Sequence, residues 1–196
     1  MEIISGSTDE KIIQAAFRLI QKDGFDKATT KKIAAEAGVN EVTIFRKFET
    51  KGNLMEIVKK YYLDLLIGKL EDIFNFEGDE EIDAYLKNSF YGIFNLSDED
   101  FSIIKVSMEE VNEVPEKKRL ISQITDVILN KLEEFFIFKM ENGSIKEVNP
   151  KVLSVMCFSI IFQSVILWNI NDREIDVETE QYADEVLNIL FEGINH

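Results

Sequence analysis

Apolar residues recur along this chain at spacings of three and four, which is the pattern of amphipathic helices. In the first such segment, Ile12, Ala15, Ala16, Leu19 and Ile20 fall on one face. Similar segments follow to the C-terminus, without the alternation typical of strands and without an internal repeat. Only two prolines interrupt the 196 residues. The pattern therefore predicts an all-α protein of about nine helices.

The predicted helices follow one another with short connections. Pro115 opens the seventh helix, Asn149 and Pro150 open the eighth, and Asp176 or Val177 opens the last, because proline and capping residues favour helix starts. The approximate ranges are 8–23, 30–37, 41–47, 50–76, 80–96, 98–113, 115–141, 150–170 and 176–191.

Residues 28–48 form a distinctive pair of short helices. Gly38 lies between them, where positive φ costs a glycine little, and Asn40 is a good N-cap for the second helix. Ala34 is small enough to let the two helices cross closely, and Ile44 and Phe48 give the second helix an apolar face. The segment predicts a helix-turn-helix whose second helix enters a major groove.

The outward side chains of this segment suit contacts with DNA. Hydroxyls, cations and helix N-terminal amides donate to phosphate oxygens. At the start of the second helix, the Glu41 carboxylate can accept from cytosine N4, and Val42 can touch a thymine methyl. A solvated hairpin with ordinary surface charge is the alternative, and it leaves the coincidence of turn, cap and donors unexplained. The predicted contacts are Thr29, Thr30, Lys31, Lys32, Asn40, Glu41, Val42, Thr43, Phe45, Arg46, Lys47 and Lys51.

Roughly residues 8 to 60 resemble the DNA-binding domain of TetR-family transcriptional regulators. The resemblance extends upstream to Gly24 and Phe25 and downstream through Phe48, Lys51 and Leu54. The positions at which the family most often has Tyr and His carry Phe45 and Lys47. The resemblance implies a three-helix helix-turn-helix DNA-binding domain, predicted here at 6–52. A helical ligand-binding and dimerisation domain, predicted at 53–196, would follow it.

The resemblance also implies a function. We expect a cytoplasmic, homodimeric repressor that binds a palindromic operator in double-stranded DNA and dimerises through its last two helices. A small, apolar effector would bind inside the C-terminal bundle and release the DNA. The pocket candidates are Phe90, Phe94, Met108, Phe135, Phe162, Gln163 and Trp168. Two alternatives share the fold: a helical protein-interaction module and a DNA-binding module that needs no ligand.

Charge is divided unevenly along the chain. The net charge is −15, yet residues 1–60 carry 11 basic and 9 acidic side chains, and residues 61–196 carry 11 and 28. The acidic remainder would repel DNA, so the N-terminal part should face the duplex. The surplus of carboxylates slightly favours a neutral or cationic effector over an anionic one.

The apolar run 152–168 contains Ser154, Ser159, Gln163 and Ser164 within 17 residues. A membrane span needs about 20 apolar residues, so we predict a buried core helix and no membrane contact. Cys157 lies in this run, and we expect it to be a small buried hydrophobe.

An enzyme is the alternative from another class. The only histidine is the terminal His196, and the chain has no histidine and cysteine spacing typical of metal sites, no nucleophile elbow and no phosphate-binding glycine loop. The sequence therefore predicts no catalytic residue, no metal and no cofactor.

Overall fold

The described part of the chain is built from helices. A computed structural model describes residues 6–24, 27–109, 120–170 and 177–192. The predicted all-α fold is confirmed there. The helices are α1 (Thr8–Asp23), α2 (Thr30–Ala37), α3 (Glu41–Phe48), α4 (Lys51–Ile73), α5 (Ile82–Phe94), α6 (Asp98–Glu109), α7 (Leu120–Glu141), α8 (Pro150–Val165) and α9 (Thr179–Glu192). The predictions at Phe25, 113, Pro115, Asp176 and His196 lie outside the described residues.

The chain divides into two compact units, Met1–Asp64 and Leu65–His196. The first contains α1 to α3 and the first part of α4, and the second contains the rest. Helix α4 thus contributes residues to both units. The domain ranges that the resemblance implies, 6–52 and 53–196, stay a prediction.

The first unit has its own apolar core. Ile12, Phe17, Ile44 and Phe48 are almost completely buried. Gly38 ends α2 in the left-handed conformation, with φ at 67°, so a residue with a side chain would be strained there. The predicted cap of α3 is also present, because the Val42 N–H donates to Asn40 Oδ1 at 2.9 Å. Gly38 and Asn40 together fix the turn between α2 and α3. At the start of α4 the Asn53 N–H donates to Thr50 Oγ1 at 3.0 Å.

In the second unit, α5 packs closely on the end of α4. The Tyr85 hydroxyl donates to the Phe74 carbonyl at 3.0 Å in a buried setting. Gly92 faces Ile73, and a Cβ atom at Gly92 would lie 2.7 Å from Ile73 Cγ2. Since that distance is shorter than real Cβ contacts, glycine is what lets the two helices approach this closely.

The connection between α4 and α5 is held by a buried lysine. Lys139 is 4% exposed, and its ammonium donates to the carbonyls of Gly78 at 3.1 Å and Glu80 at 2.5 Å. The ammonium also lies 5.5 Å from the centre of the Phe135 ring. Hydrogen bonds and ring contact together satisfy a charge that burial would otherwise penalise.

Helix α8 is the most apolar helix, and it continues as a π-helical turn over Ile166–Ile170. The stretch Pro150–Asn169 is long and apolar enough to cross a membrane by length and composition alone, but only 28% of its most apolar window is buried within one chain. Only one side of α8 is therefore buried as the prediction of a core helix requires. The other side is an exposed stripe at spacings of three and four, called here the α8 stripe: Val152, Val155, Met156, Ser159 and Gln163.

Asp100 links α4 to the start of α6. Its carboxylate accepts from Lys69 Nζ at 2.8 and 2.6 Å and from the Ser97 backbone N–H at 2.9 Å. Burial alone would raise the pKa of Asp100, but the hydrogen bonds from Lys69 and Ser97 outweigh it and hold that pKa below 3.8. The ionised carboxylate is therefore the form that the fold stabilises.

We expect Asp100→Asn to lower the free energy of unfolding by about 1–3 kcal/mol at pH 7, because Lys69 loses its charged partner. The pKa of Asp100 is lower in the folded than in the unfolded protein. Its stabilising contribution is therefore present above the pKa of the unfolded state and is lost as pH falls through the pKa of the folded state. Urea unfolding at pH 7 and at successively lower pH measures the difference in the free energy of unfolding between the variant and wild type. Asp98→Asn, an exposed carboxylate in the same helical turn, is the control, and equal losses in both variants would contradict the assignment.

Candidate nucleic-acid interface and ligand cavity

Helix α3 separates an apolar inner face from an exposed outer face. Ile44 and Phe48 are buried, whereas Val42 is 70% exposed and Phe45 is 46% exposed. Arg46 also lies at the surface. Exposing large apolar side chains next to a cation has no benefit for folding, so the outer face of α3 is suited to contact with another molecule.

Two of the predicted cations are held by carboxylates of α1. Lys47 forms an ion pair with Asp9, and Lys32 forms one with Asp23 at 3.0 Å. The hydrogen bond from Lys32, as the largest cause, holds the pKa of Asp23 below its usual value. Both pairs are at least partly exposed. A phosphate group approaching these lysines would therefore compete with carboxylates that already neutralise them.

The two threonines at the start of α2 have different roles. Thr29 is the N-cap of α2 and accepts the Lys32 N–H at 3.3 Å. The Thr30 hydroxyl instead donates to Glu41 Oε1 at 2.6 Å, which joins α2 to the first residue of α3. Sequence reasoning missed this bond, because it treated both hydroxyls as donors to phosphate.

The predicted DNA contacts lie together in the first unit, around α2, α3 and the start of α4. Lys31 is exposed, and Thr43 and Lys51 are half-buried. The arrangement offers cations, hydroxyls and helix N-terminal amides next to one exposed helical face. Such a set can hold a phosphate backbone and present side chains to base edges.

The second unit contains a cavity of about 450 Å³. Its size is within the range of small-molecule sites, about 300–1,000 Å³. Its walls are apolar except for the exposed Lys146. The lining residues come from α5, α7, α8, α9 and the loop between α7 and α8: Ile82, Leu86, Phe136, Ile145, Lys146, Val148, Leu153, Met156, Cys157 and Leu190.

A smaller void adjoins this cavity and shares Leu86, Cys157 and Leu190 with it. Phe90, one of the predicted pocket residues, lines this smaller void. Cys157 is buried, as expected, and burial raises the pKa of its thiol to about 12. The thiol therefore stays protonated at neutral pH and behaves as an apolar wall group.

The other pocket candidates lie elsewhere in the second unit. Phe94 stacks on Phe90 at 4.5 Å and lies 5.6 Å from Trp168, which has its edge against Tyr182 at 4.3 Å. Phe135 is fully buried and stacks on Tyr85. The remaining three are Phe162, stacked on Phe158, the half-buried Met108 and the exposed Gln163.

Phe90, Phe94, Trp168 and Tyr182 form an aromatic cluster. Asn169 follows Trp168 in the π-helical turn, a local distortion that is frequent at functional sites. Its Oδ1 atom is buried, and among the described residues it has no hydrogen-bond partner. Because an unsatisfied buried acceptor costs about 1–3 kcal/mol, the Asn169 amide is a second place where a ligand could add stability.

Comparison with known proteins extends these observations. Residues 12–58 match the model of bacterial regulatory proteins of the tetR family. The fatty acid metabolism regulator protein of Bacillus subtilis is 26% identical over 188 residues, which cover 95% of both chains. These matches confirm the resemblance seen in residues 8 to 60, and the relatives are named as regulators.

Solved structures agree in fold over nearly the whole chain. The regulator FadR from Bacillus subtilis, solved in complex with stearoyl-CoA, has a TM-score of 0.70 and 25% identity, covering 95% of this chain and 99% of that one. AibR, solved with isovaleryl coenzyme A and operator DNA, has a TM-score of 0.64 and 20% identity, covering 94% and 98%. The second likeness is one of fold alone.

If Arg46 contacts a phosphate, Arg46→Ala should weaken binding to every duplex by a similar factor and reduce the slope of log affinity against log salt by about one. Fluorescence anisotropy against the DNA upstream of its own coding sequence and a scrambled duplex, at several salt concentrations, measures both. Arg18→Ala is the matched control, because Arg18 pairs with Glu36 at 3.1 Å. A changed sequence preference with an unchanged slope would instead assign Arg46 to base readout.

Proposed function

We propose that the chain is a ligand-responsive, sequence-specific DNA-binding regulator of the TetR family, and that it acts as a homodimeric repressor released from a palindromic operator by a long-chain acyl ligand. The observation that supports DNA binding most directly is the exposed outer face of α3 beside the cations and hydroxyls of α2. The apolar cavity of the second unit supports the ligand class.

The dimer is proposed from the α8 stripe. Val152, Val155 and Met156 are each about half exposed in one chain, and Ile189 on α9 is 54% exposed. Large apolar side chains exposed in this way on two helices are candidates for an interface. A second copy is the occupant that agrees with a two-fold DNA-binding protein, since an isologous contact of α8 and α9 would bury the same stripe on both chains.

Dimerisation defines the proposed operator. A two-fold axis relates the two α3 helices, so each reads one half-site, and the half-sites lie about one helical turn (~34 Å) or a multiple of it apart. The operator should then be palindromic. A protein that acts on operator DNA works in the cytoplasm, beside the chromosome.

The ligand class is proposed from the walls of the 450 Å³ cavity. Aliphatic and aromatic side chains line it, and Lys146 is the single charged group among the lining residues. Such a site suits a ligand with a saturated acyl chain and an anionic head group that stays near the surface. Bacillus subtilis FadR was solved with stearoyl-CoA, and an acyl-CoA thioester is therefore the first ligand to test. The negative net charge of residues 61–196 favours a neutral or cationic effector. The apolar cavity walls agree with this if only the acyl chain of the ligand is buried.

Helix α5 can connect the cavity to α4. Ile82 and Leu86 line the cavity, and on the neighbouring face of α5 Tyr85 and Gly92 contact the last residues of α4. An acyl chain inserted beside Leu86 would displace α5 and with it the end of α4. Helix α4 runs without a break to Lys51, so a tilt would reach the DNA-binding residues. The ligand acts only through its different affinity for the two states.

We expect stearoyl-CoA to weaken operator binding of wild type, with short-chain acyl-CoA, free stearate and CoA alone as comparisons. Cys157→Phe should occupy part of the cavity and reduce the response to stearoyl-CoA at least tenfold, while DNA affinity without ligand stays within about twofold. Cys157→Ala, which leaves the space open, is the matched control. Anisotropy titrations of operator DNA with each ligand measure the effect.

The outcomes separate three possibilities. If stearoyl-CoA and free stearate release the DNA alike, the protein recognises the acyl chain. If only the thioester releases the DNA, the CoA head group contributes to recognition as well. A normal response in Cys157→Phe together with a lost response in Asn169→Leu would move the ligand to the Asn169 amide. No response of the wild type to any of the four compounds would contradict the acyl ligand.

We expect Val155→Asp to break the dimer, because it places an unpaired charge within the α8 stripe. Sedimentation in detergent-free buffer should show a monomer, and operator affinity should fall at least about a hundredfold as the two half-sites become independent. Leu65→Asp is the control, since Leu65 is 47% exposed on α4 outside the stripe. A Val155→Asp protein that remains dimeric would place the interface elsewhere.

A further inference from the structure

We propose that Thr30 is a positioning residue for base readout, which holds the Glu41 carboxylate so that it selects cytosine. The inference rests on the proposed DNA-binding face of α3 and assigns one source of its specificity. It replaces the phosphate contact that the sequence suggested for Thr30.

The two residues are joined across the helix-turn-helix. Thr30 is the first residue of α2 and Glu41 the first residue of α3. Thr30 Oγ1 lies 2.6 Å from Glu41 Oε1, within the range of a charge-assisted hydrogen bond. Both side chains are half-buried. The backbone of Glu41 is fixed as well, because Asn40 caps α3, so the bond restrains the remaining freedom of the glutamate side chain.

The hydroxyl proton decides between the two roles of Thr30. A threonine hydroxyl has one proton to donate, and here the proton goes to Glu41. Thr30 cannot donate that proton to a phosphate at the same time. Thr29 differs, because its oxygen accepts the Lys32 N–H and its own proton is not used in that contact. Of the two hydroxyls at the start of α2, Thr29 is therefore the one proposed to donate to phosphate.

A fixed carboxylate discriminates between bases by charge. When ionised it only accepts hydrogen bonds, and it has about four acceptor positions, of which Thr30 uses one. In the major groove cytosine offers the N4 donor alone, and adenine offers its N6 donor next to the N7 acceptor, which repels a carboxylate. Guanine N7 and O6 and thymine O4 are acceptors, which a carboxylate also repels. A mobile glutamate could turn away from these acceptors. A glutamate held by Thr30 cannot, so its preference for cytosine is enforced.

The test compares variants on a defined operator. The operator is first selected from random duplexes with the wild-type protein, and each position is then replaced singly. Affinities of Thr30→Val, Thr30→Ser, Thr29→Val and Glu41→Gln are measured by anisotropy at several salt concentrations. Thermal unfolding of each variant checks the fold, and Thr30→Ala repeats the test if valine disturbs the start of α2.

Thr30→Val should reduce the preference for cytosine at one position of each half-site at least about threefold and leave the salt slope unchanged. Thr30→Ser keeps the hydroxyl and should behave like wild type, and Glu41→Gln should remove the cytosine preference. Thr29→Val should instead weaken all duplexes alike and lower the salt slope.

Two results would overturn the proposal. In the first, Thr30→Val weakens every duplex by one factor and lowers the salt slope by about one, which makes Thr30 a phosphate contact. In the second, Glu41→Gln loses the cytosine preference but Thr30→Val keeps it. Failure of the underlying DNA-binding face is recognised separately, because Glu41→Gln and Arg46→Ala would then both leave binding unchanged.

Discussion

Helix α4 ends at Ile73, and the backbone carbonyls of the connection that follows it need hydrogen-bond donors from elsewhere. Neighbouring helices supply them: the Tyr85 hydroxyl of α5 donates to the Phe74 carbonyl, and the Lys139 ammonium of α7 donates to two carbonyls of the loop. The rest of the second unit depends on this anchoring. It fixes the position of α5 on α4, and the position of α5 determines which residues line the cavity.

Much of the fold could be predicted from the sequence, because the signals that determine it are local. Helix periodicity depends on neighbours three and four residues apart, and caps such as Asn40 and Asn149 act within two or three residues. Gly38 could be identified from the sequence because the turn requires positive φ at a single position, which glycine adopts easily. The helix-turn-helix is made almost entirely of such local features, and therefore its type was predictable.

The parts that were not predicted depend on residues far apart in the chain. The pairs Thr30–Glu41 and Lys47–Asp9 join different helices, and no local pattern indicates them. The cavity illustrates the same limit. Its walls come from four helices and a loop and are mainly aliphatic, whereas the sequence indicated mainly bulky aromatics as candidates. Most of those aromatics stack on one another, as Phe135 does on Tyr85, and so fill space themselves.

The two faces of α5 have a consequence for how such a regulator can diverge. Ile82 and Leu86 face the cavity, while Tyr85 and Gly92 are occupied with α4. In the proposed mechanism, recognition of a small molecule and transmission of its binding would be encoded at separate positions of one helix. Substitutions at the first set can change which metabolite is sensed, and the connection to α4 is kept. A descendant could acquire a new signal through a few aliphatic exchanges while its response mechanism is inherited intact.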